Sequence, residues 1–241
     1  MFSLQNCFSV NNYHPSMQNP ADRTPHDKLP DESMPSEEGE EEITGVVVKE
    51  KGGGVALRTG PASGQVEWFD YSGENVPSVE AIAWGLGGIP RYLGHTKGAL
   101  SVGQHSVACA EVARQLGYPK DWVRAALLHD AAEAVFGDVP GPLKAELPED
   151  CAYMRRLGEL EQRVGAHFNF KWPLRDSVKD LDKVAYAAER MCWAKNELAG
   201  VPTVPDRLTR PLNLFLDGPY RDLWEQEETY HRFLAMYSYC S

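Results

Sequence analysis

The sequence predicts an all-α fold with a small β-ribbon at the N-terminal end of the folded part. From about residue 76 onward, apolar residues recur at the three- and four-residue spacing of buried helix faces. Prolines and glycines fall between these segments, where helices end. Residues 44–75 instead contain short apolar stretches separated by glycines, which is typical of strands joined by turns.

Residues 1–43 are predicted to be a disordered acidic leader. Nine of them are acidic and two are basic, so they hold −7 of the chain's formal net charge of −11. Proline, asparagine and serine are frequent among the others, and no apolar period is sustained, so the segment cannot bury enough surface to offset the entropy of ordering. The folded domain is therefore expected to span residues 44–241.

The β-ribbon is predicted to contain three short strands. Val46–Val48 and Val55–Arg58 are expected to be strands connected by Gly52–Gly54. Gln65–Tyr71 is expected to be a third strand, placed after the turn Pro61–Gly64.

Six helices are predicted after the ribbon. Ser101, followed three residues later by Gln104, forms a capping box, which marks the start of a helix. Ser78 is expected to cap the helix before it. The predicted helices are Ser78–Gly88, Ser101–Leu116, Lys120–Phe136, Asp150–Phe168, Pro173–Asn196 and Tyr220–Tyr237.

Composition argues against several classes of protein. No stretch approaches the ~20 apolar residues that span a bilayer, and the N-terminus lacks the pattern of a signal peptide. The five cysteines are widely spaced and form no CxxC pair, so a reducing, cytoplasmic setting is expected, with Cys109 in the core. The negative net charge argues against nucleic acid or anionic membrane as a partner.

The predicted third helix carries the first sign of chemistry. An apolar run ends in the pair His129-Asp130, and Glu133 follows on the same side of the helix. Burying an aspartate beside a histidine is costly unless both are paired or bind a cation. Imidazole and carboxylate together suit a divalent metal such as Zn²⁺, Mn²⁺, Co²⁺ or Fe²⁺.

Two further ligands are predicted on other helices. His105 lies one turn into the preceding helix, on a face of small apolar residues. Asp182 borders the apolar face of the long fifth helix, whereas the helical phase is expected to turn Asp180 further toward solvent. Each residue alone is weak evidence, but the order His…His-Asp…Asp over three helices is specific, and four ligands leave a coordination position open for water.

The quoted residues resemble a known family, the HD-domain metal-dependent phosphohydrolases. Ser101–Val107 is similar to the family's SV-x-QHS segment, and His129–Glu133 followed by Gly137–Pro140 and Pro142–Lys144 is similar to its HDxxE…GDxxxPxK pattern. The second pattern is typical of a narrower branch, the HD-type 5′-deoxynucleotidases and related phage enzymes that hydrolyse deoxynucleoside triphosphates such as dATP. The resemblance extends from about Arg58 to the C-terminus and implies a helical bundle.

The resemblance also implies a role for each site residue. It makes His105, His129, Asp130 and Asp182 ligands of a divalent metal, with Mg²⁺ joining the candidates above. Glu133 is implied as the catalytic acid and Asp138 as a second active-site carboxylate. The residues implied in substrate binding are Arg91, Tyr92 and Lys144.

Tyr92 replaces a different aromatic residue that the branch often uses, so the resemblance leaves base preference open. Arg91, between Pro90 and Tyr92, is expected to be accessible at the surface.

Several functions are consistent with these residues. The leading expectation is 5′-deoxynucleotidase activity, releasing phosphate from a deoxynucleoside monophosphate, and the alternative is release of triphosphate from a dNTP. Two other hypotheses remain: a non-catalytic nucleotide-binding protein, and an enzyme that acts on cyclic or hyperphosphorylated nucleotides. The resemblance implies a small deoxyribonucleotide as the partner, self-association into a homo-oligomer, and the host cytoplasm as the location if the gene is carried by a phage.

Overall fold

The computed structural model describes residues 53–62, 64–71, 73–193 and 203–241. The predicted leader and the strand at Val46–Val48 lie outside these residues, as does any helical continuation past Trp193. No helix in the described part is both long enough and apolar enough to cross a bilayer.

Two antiparallel strands precede the helices, as the sequence predicts. β1 (Gly54–Arg58) pairs with β2 (Val66–Asp70), so that Val55 lies opposite Phe69. Phe69 is buried and joins the helical core, which attaches the ribbon to the domain. The predicted all-α fold with a small β-ribbon is confirmed for this part of the chain.

The helices follow in a chain with short connections. They are α1 (Val79–Gly88), α2 (Val102–Gln115), α3 (Lys120–Leu128), α4 (Glu133–Phe136), α5 (Gly141–Glu146), α6 (Ala152–His167), α7 (Asp176–Trp193), α8 (Thr209–Asp217) and α9 (Gln226–Cys240). Short 3-10 turns cover Arg91–Gly94 and Asp206–Leu208. The short helices α5 and α8 were not predicted, and the single predicted helix Lys120–Phe136 is in fact two.

The central element is α2, which contacts α1, α3, α7, α8 and α9. Small side chains make this crowding feasible. A Cβ added to Gly103 would lie 2.7 Å from the Thr229 side chain and 2.9 Å from the backbone of Gly87, so α1 and α2 approach each other at their glycines and α9 contacts them there through Thr229. His105 is therefore held in the middle of the domain, where its position is fixed by packing on every side.

Half of the predicted capping box is present. The Ser101 hydroxyl accepts a hydrogen bond from the Gln104 amide at 3.0 Å, and Ser78 caps α1 in the same way. The reciprocal half is wrong, because the Gln104 side chain does not return to Ser101. It donates to the carbonyls of Pro219 and Asp222 and accepts from the Trp224 amide, so it ties α2 to the segment before α9.

Candidate metal and active site

The four side chains predicted as metal ligands converge in the described structure. His105 Nε2 lies 3.1 Å from His129 Nε2 and 3.3 Å from Asp182 Oδ1. Asp130 Oδ2 lies 3.2 Å from His129 Nε2 and 3.7 Å from His105 Nε2. Donor atoms that share one metal at ~2.1 Å lie about 3.0–3.4 Å apart at tetrahedral or octahedral angles. The donor set therefore fits one divalent cation with small adjustments.

The hydrogen bonds of the two histidines explain why a cation suits this place. His129 Nδ1 lies 2.8 Å from the Ala126 carbonyl, which can only accept, so Nδ1 carries the proton. His105 Nδ1 lies 2.6 Å from a carboxylate oxygen of Glu189 and is protonated for the same reason. In the neutral tautomers the lone pairs of both Nε2 atoms remain, and these atoms face each other beside two carboxylates. These four groups would together hold a divalent cation.

A local change in helix geometry places His129 and Asp130 at the same point. The α-helix α3 ends at Leu128, and amide bonds of the i→i−3 type take over across residues 128–134 before α4 begins. Such bonds tighten the backbone and change the angle between neighbouring side chains. The sequence prediction of one continuous helix missed this break, although it placed Glu133 correctly beside Asp130.

Cys109 also borders the histidines. Its sulfur lies 3.8 Å from His105 Nε2, and one donor atom from each of His105, Cys109 and His129 falls within a 4.8 Å group. Cys109 is buried, as predicted for a core residue, and burial raises the pKa of its thiol, which favours the protonated form. The aspartate oxygens are closer to the histidine nitrogens and are better donors for this cation.

The sequence analysis missed Glu189, which is fully buried beside the ligands. Its Oε1 accepts from His105 Nδ1 at 2.6 Å and from the Tyr220 hydroxyl at 2.7 Å. Its Oε2 accepts from Arg91 Nε at 3.1 Å and from the Tyr92 hydroxyl at 2.7 Å.

The environment of Glu189 keeps it ionised despite its burial. Burial alone would raise the pKa of this carboxyl, but Arg91, His105 and the hydrogen bonds lower the pKa to about 2. A signal for Glu189 exists in the sequence, because it follows Asp182 by seven residues. Two helical turns bring it back to the same face, within an otherwise apolar stretch.

Arg91 is not the accessible residue that the sequence suggested. Its side chain is 13% exposed, with Nε bonded to Glu189 and one terminal nitrogen 3.7 Å from Asp130. The expectation failed because the flanking residues do not reveal a partner 98 positions away. Arg91 still lines the neighbouring cavity, so it combines a structural contact with a place in the cavity wall.

Tyr92 opens a turn with unusual backbone geometry. Tyr92 and Leu93 have φ values of 55° and 54°, and Gly94 follows at 77°. The left-handed region costs non-glycine residues about 1–2 kcal/mol each. The Tyr92 hydroxyl bonds to Glu189 and its ring lies 6.0 Å from that of Tyr186, contacts that help to offset this cost.

The two carboxylates proposed for acid–base work are placed differently. Glu133 is buried, with Oε1 3.0 Å from Lys144 Nζ, and Oε2 has no hydrogen-bond partner among the described residues. Burial, followed by repulsion from Asp130, raises the pKa of Glu133 to about 8, although Lys144 opposes the rise. Asp138 lines the cavity, and burial likewise raises its pKa. Lys144 bonds to Glu133 and is not among the cavity-lining residues.

A cavity of about 790 Å³ opens beside the convergent ligands. Its charged lining residues are Arg91, Asp138, Asp180, Asp182, Lys183 and Arg207, and its apolar and aromatic ones include Tyr92, Pro140, Pro142, Val184, Tyr186, Val204, Pro205 and Leu208.

Asp180 lines this cavity, and its Oδ2 accepts a hydrogen bond from a terminal nitrogen of Arg207 at 2.6 Å. The expectation that Asp180 points further toward solvent than Asp182 was wrong, since their side chains are 22% and 47% exposed.

Comparison with known proteins places most of this site inside one family signature. The model of the HD domain matches residues 102–199. The chain is 30% identical over 128 residues to the "Uncharacterized protein YfdR" of Escherichia coli (strain K12), covering 53% of this chain and 67% of that protein. It is 33% identical over 117 residues to the "Uncharacterized protein RCAP_rcc00048" of Rhodobacter capsulatus, covering 46% of this chain and 60% of that protein. Arg91 and Tyr92 lie just before the matched HD segment.

Proposed function

The chain belongs to the HD-domain family, which indicates a hydrolase of the phosphohydrolase type, and we propose that it hydrolyses the 5′ phosphate of deoxyribonucleoside monophosphates. The observation that carries the proposal is the convergence of His105, His129, Asp130 and Asp182 beside a cavity that also presents Arg91. These four residues would hold the divalent cation. The choice of a deoxynucleotide derives from the sequence motifs described above.

The balance of charge in the cavity supports a monophosphate substrate. Among the described lining residues three are basic and three acidic, and Arg91 and Arg207 are already paired with Glu189 and Asp180. A phosphate monoester carries about −1.5 to −2 charges. A triphosphate carries more, and it would need further basic groups that the described lining does not offer. The apolar and aromatic wall suits a nucleoside.

Each protein group has a chemical task in this proposal. A divalent cation supplies Lewis-acid chemistry, polarising a phosphoryl oxygen and acidifying a water molecule. Arg91 binds phosphate oxygens with the edge of its guanidinium that Glu189 leaves free. Glu133 holds a proton on its carboxyl at neutral pH and can give it to the leaving oxygen, while Lys144 keeps the carboxyl in place. Asp138 is the alternative proton carrier.

The proposal is tested by incubating the purified protein with a panel of dNMPs, NMPs and dNTPs under Mn²⁺, Co²⁺, Zn²⁺ or Mg²⁺. We expect inorganic phosphate and deoxynucleoside from the dNMPs. Triphosphate released from dNTPs would favour the triphosphohydrolase instead. Binding without turnover under every metal would support a non-catalytic nucleotide-binding protein and contradict the proposal.

Arg91→Ala is expected to weaken both substrate binding and the fold. Losing a charge-assisted phosphate contact costs about 1.5–3 kcal/mol, which corresponds to a rise in KM of roughly 10- to 150-fold. Removing the guanidinium also leaves Glu189 short of a partner, so Tm should fall. Steady-state kinetics and thermal melting measure the two effects. Arg91→Lys is the matched control, and an unchanged kcat/KM in Arg91→Ala would remove Arg91 from the site.

A further inference from the structure

Glu189 bonds to three parts of the chain whose relative positions matter for the proposed reaction. Its donors come from α2 (His105), from the turn after α1 (Arg91 and Tyr92) and from the segment between α8 and α9 (Tyr220). Its side chain is fully buried, and each of its two oxygens accepts two hydrogen bonds. Burying a carboxylate is strongly unfavourable unless it is paired. This arrangement is more specific than packing alone requires.

We propose that Glu189 is a positioning residue that aligns the metal-binding His105 and the phosphate-binding Arg91 through opposite oxygens of one carboxylate. The inference rests on the proposed function for what the two aligned groups bind. Glu189 itself lies behind both groups: it bonds to His105, Arg91 and Tyr92, but it is not itself among the residues that line the cavity.

The Oε1 side acts on the metal site. Glu189 accepts a hydrogen bond from His105 Nδ1 at 2.6 Å. This bond favours the tautomer whose Nε2 lone pair is available to a metal, and it fixes the plane of the ring. A carboxylate behind a ligating histidine also makes the ligand more basic, and loss of such a partner typically lowers metal affinity by about 10–100-fold. Tyr220, whose hydroxyl donates to the same oxygen, restrains the carboxylate from behind.

The Oε2 side acts on the phosphate site. Its bond is to Arg91 Nε, so Glu189 does not occupy the terminal nitrogens of the guanidinium, one of which lies 3.7 Å from Asp130. Its bond to the Tyr92 hydroxyl holds the left-handed turn that begins at Tyr92, directly after Arg91. Charge-assisted bonds of this kind fix direction as well as distance. Because a single carboxylate serves both sides, a shift of Glu189 displaces a metal ligand and a phosphate ligand together.

The test is the isosteric substitution Glu189→Gln. A glutamine offers one accepting oxygen, and its NH₂ group must face donors on one side, either His105 and Tyr220 or Arg91 and Tyr92. We expect the affinity for Mn²⁺ or Zn²⁺ alone, measured by chelator competition, to fall by about 10–100-fold. The NMR signal of the His105 Nδ1 proton should shift or broaden. These readouts use no substrate, so they stand even if the proposed nucleotide substrate is wrong.

Two matched variants separate the sides and remain informative if Glu189→Gln folds poorly. Tyr220→Phe removes a hydroxyl from Oε1 and should change mainly the metal affinity. Tyr92→Phe removes one from Oε2 and should mainly raise KM for the nucleotide. A purely structural role predicts that all three variants lower Tm while the folded protein binds metal with wild-type affinity. That outcome would overturn the proposal.

Discussion

Asp130→Asn is expected to lose bound metal and activity together. Asp130 Oδ2 lies 3.2 Å from His129 Nε2, and an amide in its place is a neutral and weaker donor for a divalent cation. Because Asp130 would contact the metal directly, the loss should exceed the about 10–100-fold that changes behind a ligand cause. Metal analysis of the purified variant and steady-state turnover measure the two effects.

Asp180→Asn is the matched control for this prediction. Asp180 is a carboxylate two residues from Asp182 in the same cavity, but it is bonded to Arg207 and is not part of the convergent set. Its substitution should leave the metal content near wild type.

A chelator should abolish turnover of the wild-type enzyme, and Mn²⁺ or Co²⁺ should restore it. Full activity in metal-stripped enzyme would contradict the metal hypothesis.

Glu133→Gln is expected to lower kcat by about 10²–10⁴-fold while metal content and Tm stay near wild type. Glu133 is buried, its pKa is raised to about 8, and its Oε2 has no partner among the described residues, so the carboxyl keeps a transferable proton at neutral pH. Glutamine keeps the size and can still accept from Lys144, but it cannot exchange a proton.

The contrast with Asp130→Asn makes this test specific, because the two residues are neighbours but are assigned different tasks. Glu146→Gln, at an exposed position on α5, is the control for a charge change near the site and should turn over normally. Normal turnover in Glu133→Gln would move proton transfer to Asp138. The assignment of Glu133 would then be wrong.

The sequence predicted the helical fold and the side chains that converge, because both follow from short-range spacing. Apolar periodicity gave the helices, and placing His105, His129, Asp130 and Asp182 at the edges of apolar faces was enough to bring them to a common interior. Their roles as ligands remain a prediction.

Long-range partners could not be read from the same patterns. The burial of Arg91 depends on Glu189, and the Gln104 side chain bonds to the Pro219 carbonyl 115 residues away. The break after Leu128 was hidden for another reason. Leucine, alanine and glutamate, which are good helix formers, make up most of that stretch, so helix propensity gives no sign of the tighter i→i−3 bonds.

The left-handed turn at Tyr92 and Leu93 has a consequence for anyone who engineers a more stable form of this chain. Both residues adopt a conformation that glycine adopts without cost, yet only Tyr92 bonds to Glu189. Leu93 is 64% exposed. Leu93 is therefore the place to begin stabilising this enzyme, while the strain at Tyr92 should be left alone because it is bound to the residues that assemble the site.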